Sequence, residues 1–135
     1  NTIYKLEDNT FEIYASDELG RVNGLLTIGD KLYYLDAEKG EFGVYNHNNS
    51  TFKVLSSELG AGDGLVRVGN GDFISSSWNG EIFYIHSKDW SKTKLLDTRS
   101  ESVNSADIEF ISETKMLLVP TFFDNRVVAY KLIYD

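Results

Sequence analysis

Residues 22–26 of the chain read Val-Asn-Gly-Leu-Leu, and residues 62–66, which lie 40 positions later, read Gly-Asp-Gly-Leu-Val. The same spacing matches residues 33–34 (Tyr-Tyr) with residues 73–74 (Phe-Ile), and a looser third copy (Ala-Asp-Ile) occupies residues 106–108. A repeat of about 40–50 residues that holds four short strands is typical of a β-propeller blade. A β-sandwich also has short, evenly spaced strands, but it gives no reason for matched motifs at a fixed spacing. The repeat therefore favours a propeller.

The rest of the chain has the pattern of strands and turns. Short runs rich in aromatic and β-branched residues alternate with Gly, Asp and Asn. Such alternation, without a longer run at helical spacing, predicts strands rather than helices. Residues 7–9 separate two of these runs and predict a hairpin. Pro120 ends another run, and since proline removes a ladder donor we expect a bulge or an edge there. We predict an all-β chain of four-stranded antiparallel blades.

The composition excludes several classes of protein. The 135 residues are 41% hydrophobic and 13% aromatic, which argues against a disordered chain. They include no cysteine, so a disulfide scaffold, a thiolate zinc site and a cysteine nucleophile are excluded. The net charge of −8 opposes binding to nucleic acid. No apolar run is long enough for a membrane helix, so we expect no membrane partner, and no signal peptide opens these residues.

The strand signals divide the chain into unequal parts. Residues 21–60 and residues 61–102 each have room for a four-stranded blade. Residues 1–20 hold a half blade of two strands, and residues 103–135 hold an incomplete blade of three. This makes about three blades, whereas propellers close with about four to eight. We therefore expect further blades or a second chain to complete the ring. Because the sequence starts at Asn1, we expect it to be processed, trimmed or a fragment.

Three polar residues occupy equivalent positions in the repeats. Asn23, Asp63 and Asp107 stand where each blade begins its first strand, which lines the channel of a propeller. Converging oxygen donors suit a hard divalent cation such as Ca²⁺ or Mg²⁺. The alternative is that Asn-Gly and Asp-Gly are ordinary turn dipeptides. Asn104 either adds a polar contact to this channel mouth or makes a turn hydrogen bond. Trp78 either lines a pocket or packs between blades.

The other residues that could take part in catalysis or metal binding give weaker signals. His47 and His86 are the two histidines of the chain, and the repeat places His86 opposite Asn46, away from the channel. We expect both histidines to be surface residues. The serines of residues 75–77 lack the Gly-x-Ser-x-Gly context of a serine hydrolase.

Four segments carry a resemblance to a known family. They are residues 22–26, 60–65, 103–108 and 118–127, the last of which reads Leu-Val-Pro-Thr-Phe-Phe-Asp-Asn-Arg-Val. They resemble the C-terminal half of bacterial gluconolactonase-like proteins. These proteins belong to the superfamily of senescence marker protein 30, gluconolactonase and luciferin-regenerating enzyme. The resemblance runs over nearly the whole chain, and the last segment is its most specific part.

The resemblance implies a six-bladed propeller with one divalent cation in the channel, and hydrolysis of lactones or related esters. Asn23 matches the family's metal-binding asparagine. Asp63 matches its metal-binding aspartate, which is often also assigned as general base. The family's glutamate ligand belongs to a first blade that these residues do not include. Asp107 is not a ligand position in characterised members, so its role rests on the repeat alone.

Two hypotheses from different classes follow. The first is a metal-dependent lactonase or esterase of the gluconolactonase type, acting on a small lactone or a sugar-derived substrate. Asn23 and Asp63 would hold the cation, Asp63 would be catalytic, and Asn104 and Asp107 would contact the substrate. The cation would be Ca²⁺, with Zn²⁺, Mg²⁺ and Mn²⁺ as alternatives. The second hypothesis is a non-catalytic propeller that binds a sugar or a protein partner.

Overall fold

The computed structural model describes residues 1–16 and 19–133. Within these ranges the chain is all-β, as predicted, with single 3-10 turns at Arg99–Glu101 and Phe122–Asp124. Over the same residues, no helix combines the length and apolar character that a bilayer crossing requires. The strands are β1 (Thr2–Glu7), β2 (Thr10–Ser16), β3 (Val22–Ile28), β4 (Lys31–Asp36), β5 (Glu41–Asn46), β6 (Thr51–Ser56), β7 (Gly62–Arg67), β8 (Phe73–Ser77), β9 (Glu81–Ile85), β10 (Lys92–Asp97), β11 (Glu109–Ile111), β12 (Met116–Pro120) and β13 (Val127–Lys131).

The strands form four antiparallel sheets in chain order. The first sheet is β1–β2, the second β3–β6, the third β7–β10 and the fourth β11–β13. Every strand pairs with the next one along the chain within its sheet, so each sheet is a meander. The hairpin predicted around residues 7–9 joins β1 to β2. Four-stranded meanders are the unit of a propeller blade. The number of blades in a closed ring stays a prediction.

The sheets stack in succession, with an apolar cluster between each pair of neighbours. Because strand side chains alternate between faces, one strand contributes to two clusters. In β4, Tyr34 packs towards the first sheet and Leu35 towards the third; in β8, Phe73 packs towards the second sheet and Ile74 towards the fourth. Burial on both faces explains why β8 and β9 are buried along their whole length. The two complete sheets are therefore the middle layers of the structure.

The ladder pairs correct one detail of the repeat. Leu26 and Val66 are equivalent by the 40-residue spacing, and they pair with Tyr33 and Ile74 respectively. The sequence match of residues 33–34 with residues 73–74 is therefore wrong by one position, since Tyr33 corresponds to Ile74. The turn before β8 is longer than its counterpart before β4. The turn after β8 is one residue shorter than the turn after β4, so the spacing returns to 40 at β9.

Pro120 ends a strand rather than distorting one. It is the last residue of β12, the middle strand of the fourth sheet, and its partner is Val127. The β12–β13 ladder runs in register up to this pair, so the first of the two expected features, a bulge, is wrong. β11 pairs with β12 only as far as Leu118, so Pro120 has a ladder partner on one side alone, as at an edge. At the strand end the missing N–H costs little, and the carbonyl of Pro120 accepts a hydrogen bond from the N–H of Ala106 at 3.0 Å.

Candidate functional site

Two of the three polar residues singled out by the repeat, Asn23 and Asp63, lie in strands and not in turns. Asn23 is the second residue of β3, and Asp63 is the second residue of β7. The ladder shifts register at both places, between Val22 and Leu25 and between Gly62 and Leu65. A bulge at the start of a strand redirects the side chain next to it. The turn interpretation of Asn-Gly and Asp-Gly is therefore wrong for these two motifs.

The glycine of each motif is explained by close approach of the neighbouring sheet. Neither Gly24 nor Gly64 has a positive φ, so a special backbone conformation is not the reason. A Cβ on Gly24 would lie 2.6 Å from the carbonyl oxygen of Asp63. A Cβ on Gly64 would lie 2.4 Å from the backbone nitrogen of Ile108. The bare backbone thus brings Asn23 beside Asp63, and Asp63 beside the segment that holds Asp107.

Asp63 is the electrostatic centre of this arrangement. The Asn23 side-chain amide, through Nδ2, donates a hydrogen bond to Oδ1 of Asp63. Burial raises the pKa of Asp63 above its ordinary value, and the charge of Asp107 raises it further. The hydrogen bond from Asn23 opposes this shift. Asp63 is therefore a partly buried carboxylate that faces another carboxylate and has little local compensation.

Asn104 and Asp107 lie in the irregular segment that leads into β11. Nδ2 of Asn104 donates a hydrogen bond to the backbone carbonyl of Trp78 at 2.9 Å, which ties the fourth sheet to the third. This is a side-chain-to-backbone bond, but it spans two sheets rather than one turn. Asp107 is exposed. The structure thus brings Asn23, Asp63 and Asp107 together and places Asn104 against Trp78.

A cleft opens beside this group at the same end of the sheets. Its volume is about 270 Å³, and it is lined by Arg21, Asn23, Ala37, Ala61, Gly62 and Trp78. Asn23 gives the cleft an amide, Arg21 a positive charge and Trp78 an apolar wall. Across residues 1–16 and 19–133 no three or more His, Cys, Asp or Glu side chains come together as a metal cluster. Any cation held here needs amide or other oxygen donors as well.

Sequence reasoning missed three residues next to the site. Phe122 and Phe123 form an aromatic group with Trp78, with ring centroids 4.8 Å apart for Trp78 and Phe122 and 4.8 Å apart for Phe122 and Phe123. Phe122 and Phe123 belong to the most specific segment of the family resemblance, but the sequence does not indicate that they form a surface with Trp78. Arg21 directly precedes the first motif, and a single arginine outside a pattern carries no signal.

The two histidines lie on strand ends. His47 is exposed and stacks on Tyr14, with ring centroids 5.1 Å apart. Nε2 of His86 lies 3.3 Å from the hydroxyl oxygen of Thr93 on the neighbouring strand. Each histidine directly follows the third strand of its sheet, β5 for His47 and β9 for His86, and both contact side chains other than Asn23 and Asp63. They do not contribute to the group around Asp63.

Comparisons with known proteins find similarity in structure but not in sequence. No protein-family model matches the chain, and no curated protein matches it significantly by sequence. A structure described as a nidogen/laminin complex superposes with a TM-score of 0.73 at 17% identity, over 89% of this chain and 48% of that one. Luciferin-regenerating enzyme gives 0.69 at 19%, over 89% and 43%. A catalytically inactive virginiamycin B lyase from Staphylococcus aureus, solved with quinupristin, gives 0.62 at 15%, over 93% and 46%.

These similarities establish a propeller-like β-fold. The matched structures are propeller proteins, and two of them are enzymes. At such low identity the likeness concerns the fold and not the activity. The chain spans less than half of each of these three solved chains.

Proposed function

We propose that the protein is a metal-dependent hydrolase of lactones or related esters, of the gluconolactonase type. The observation that carries this proposal is the pairing of Asn23 with Asp63 beside Asp107, because it concentrates oxygen donors and unbalanced negative charge at one point. Carboxylates whose pKa is raised by burial and by a neighbouring charge are found preferentially at functional sites. The fold shared with luciferin-regenerating enzyme agrees with the family resemblance of the sequence.

The oxygen ligands that Asn23 and Asp63 offer are of the type that binds a hard divalent cation. Carboxylate and amide oxygens are ligands that Ca²⁺ and Mg²⁺ prefer, whereas softer metals prefer thiolate and imidazole. Burial, and after it the charge of Asp107, raises the pKa of Asp63, and a bound cation would oppose both effects. Asn23 and Asp63 would hold the cation. Ca²⁺ takes about six to eight oxygen ligands, so water and further groups would complete the shell.

The chain's own residues then divide the work of lactone hydrolysis. Asp63, with its raised pKa, accepts the proton of a water molecule that attacks the lactone carbonyl carbon. The ring C–O bond breaks, the leaving oxygen takes the proton from Asp63, and the product is a hydroxy acid. Asn104, which hydrogen-bonds to Trp78, and Asp107, whose charge acts on Asp63, orient the substrate. When bound, the cation supplies polarisation of the carbonyl and stabilises the developing oxyanion.

The test compares two carboxylates of the same protein. Asp63→Ala is expected to abolish Ca²⁺ binding and to reduce lactone hydrolysis by about 100-fold or more, as the loss of a metal ligand and base together implies. Asp30→Ala is the control, because Asp30 is exposed at the opposite end of the second sheet. The proposal fails if Asp63→Ala changes neither cation binding nor hydrolysis.

The second candidate is a non-catalytic binding propeller for a sugar or a protein partner. It is favoured by the incomplete set of acidic ligands within the described residues. Cation binding without hydrolysis of any lactone would support this candidate over the enzyme.

We also propose that the first sheet packs against a further blade. Tyr4 pairs with Ile13 and Leu6 pairs with Phe11, so all four side chains share one exposed face. The other sheets bury equivalent faces against their neighbours. Exposed apolar faces of this kind mark interaction sites. Sedimentation analysis tests it: a monomeric chain of 135 residues in solution, with this face accessible to solvent, would contradict it.

A further inference from the structure

An exposed group of aromatic rings stands beside the cleft. Trp78, Phe122 and Phe123, here called the aromatic shelf, contact one another edge to face, with interplanar angles of 65–85°. Phe122 is 54% exposed and Phe123 is 74% exposed. Large apolar side chains that cluster at the surface, rather than scatter singly, mark a place where something binds.

The loop that presents the shelf is held in one conformation. Phe122 has a φ of 51°, which is an outlier for a bulky residue. The loop is closed at its base by Thr121 and Arg126, whose backbone N–H···O distance is 2.9 Å, and the Thr121 hydroxyl adds two further hydrogen bonds to Arg126. Asp124 and Arg126 form an ion pair across it. Such fixed, strained positions are concentrated at ligand-binding sites.

The shelf and the polar group lie at the same end of the sheets. Trp78 follows β8 and its backbone N–H bonds to the carbonyl of Ala61, two residues before Asp63. The same cleft is lined by Trp78 and Asn23. The corresponding turn of the second sheet carries Glu38 and Lys39 instead of aromatic residues. The cleft itself is lined by the charged side chain of Arg21 and by the aromatic ring of Trp78.

We propose that the aromatic shelf binds an apolar aryl or alkyl substituent of the substrate, whose ester or lactone carbonyl faces Asn23 and Asp63. This deepens the proposed hydrolase function and rests on it. The phenylalanine rings have no hydrogen-bonding groups, so they gain free energy by covering apolar surface and offer nothing to sugar hydroxyls. The shelf thus favours a substituted hydrophobic lactone over a polyhydroxylated sugar lactone.

The experiment uses two lactones that differ only in one ring. Hydrolysis of γ-phenyl-γ-butyrolactone is compared with that of γ-butyrolactone, and δ-gluconolactone serves as the polyhydroxylated comparison. Partial burial of one phenyl ring predicts a kcat/KM for the phenyl lactone that is about tenfold higher. In the Phe122→Ala/Phe123→Ala double variant this ratio is expected to fall close to one. A ratio measured in one preparation does not depend on the fraction of folded protein.

The control variant removes an equally exposed ring elsewhere. Phe11 is 73% exposed and lies on the first sheet, so Phe11→Ala should leave the ratio unchanged. A preference that survives the double variant, or a wild-type preference for δ-gluconolactone, overturns the proposal.

A binding measurement separates this proposal from the hydrolase itself. If no lactone is hydrolysed, the proposed activity has failed, and the shelf is judged by NMR titration with γ-phenyl-γ-butyrolactone. Shifts of the Trp78 indole N–H resonance that disappear in the double variant support the shelf. Trp90, which packs on Phe42 and Phe73, is the internal reference. Equal behaviour of the two indole resonances overturns the proposal.

Discussion

Asp63 and Asp72 belong to the same sheet and have opposite surroundings. Asp72 lies in the β7–β8 turn, where its carboxylate accepts hydrogen bonds from Ser87 through both the backbone N–H and the hydroxyl, from Tyr84 and from Asn70, all at 2.7–2.8 Å. Burial alone would raise the pKa of Asp72, but these bonds outweigh it and lower the pKa to about 2. Asp63, at the other end of β7, accepts from Asn23, and its pKa is raised.

The contrast separates a structural carboxylate from the carboxylate that we propose to be functional. The charge of Asp72 is compensated inside the fold, where its hydrogen bonds hold the β7–β8 turn to Tyr84 in β9 and to Ser87, which follows that strand. The charge of Asp63 is opposed by its surroundings, so the fold alone gives no reason for it. Groups whose ionised form destabilises the protein are retained for binding or catalysis more often than for stability.

Gly64→Ala should have the largest effect, because it separates Asp63 from the fourth sheet. The added Cβ meets backbone atoms of Asp107 and Ile108 that cannot easily move. We expect a loss of about 3 kcal/mol in the free energy of unfolding. Gly69→Ala is the matched control, since its Cβ would meet nothing within 4 Å. Urea unfolding of both variants measures the difference, and equal stabilities would contradict the close approach.

Asp72→Asn should cost about 2 kcal/mol at pH 7, because charged hydrogen bonds are lost. The folded pKa lies below the unfolded value of about 3.9, so the ionised group stabilises the fold above about pH 4. This contribution is lost as the pH falls towards 2. The difference between wild type and variant in urea unfolding should shrink over that range. A difference independent of pH would contradict the structural role.

Asp63→Asn should have the opposite sign and a smaller size. Because the folded pKa is raised, folding favours the protonated carboxyl, and that contribution is lost as the pH rises through the folded pKa. In buffer without divalent cations, the neutral variant should be more stable at pH 7 by less than about 1 kcal/mol. Thermal unfolding with a chelator measures the change, which should vanish below about pH 4. Destabilisation at pH 7 would assign Asp63 a structural role.

Asp107→Asn should have the smallest effect, and it tests the contribution of the Asp107 charge to the raised pKa of Asp63. Removing this charge should lower the pKa of Asp63 towards its ordinary value, while burial keeps part of the shift. Titration of the Asp63 carboxyl carbon by NMR, with and without the substitution, measures the change. An unchanged titration would show that the two carboxylates do not interact.

The sequence predicted what depends on period and composition. The alternation of apolar runs with turn residues predicted the all-β class. The matched motifs of the repeat placed Asn23 and Asp63 together, because sheets that repeat at a fixed spacing bring equivalent residues to one end. The 40-residue spacing misplaced Tyr33 by one position. The turns on either side of β4 differ in length from those on either side of β8, but the differences cancel, so the spacing is again 40 at β5 and β9. Sequence reasoning also missed the aromatic shelf, because Phe122 and Trp78 meet only when two sheets pack side by side.

The role of the motif glycines could not be read from the sequence either. Gly24 and Gly64 stand in the Asn-Gly and Asp-Gly dipeptides of ordinary turns, and only the packed sheets show that a backbone passes against each of them. The two bulges have the same origin, since they depend on pairing between strands.

Calcium titration of the protein tests the central claim most directly. Chelator-treated wild type, Asp63→Asn and Asp30→Asn are titrated with Ca²⁺ by calorimetry, with thermal unfolding as a second readout. The account predicts stoichiometric binding and a higher Tm with Ca²⁺ in the wild type and in Asp30→Asn, and neither in Asp63→Asn. Absence of binding in the wild type, or equal binding in Asp63→Asn, would contradict a cation site at Asp63.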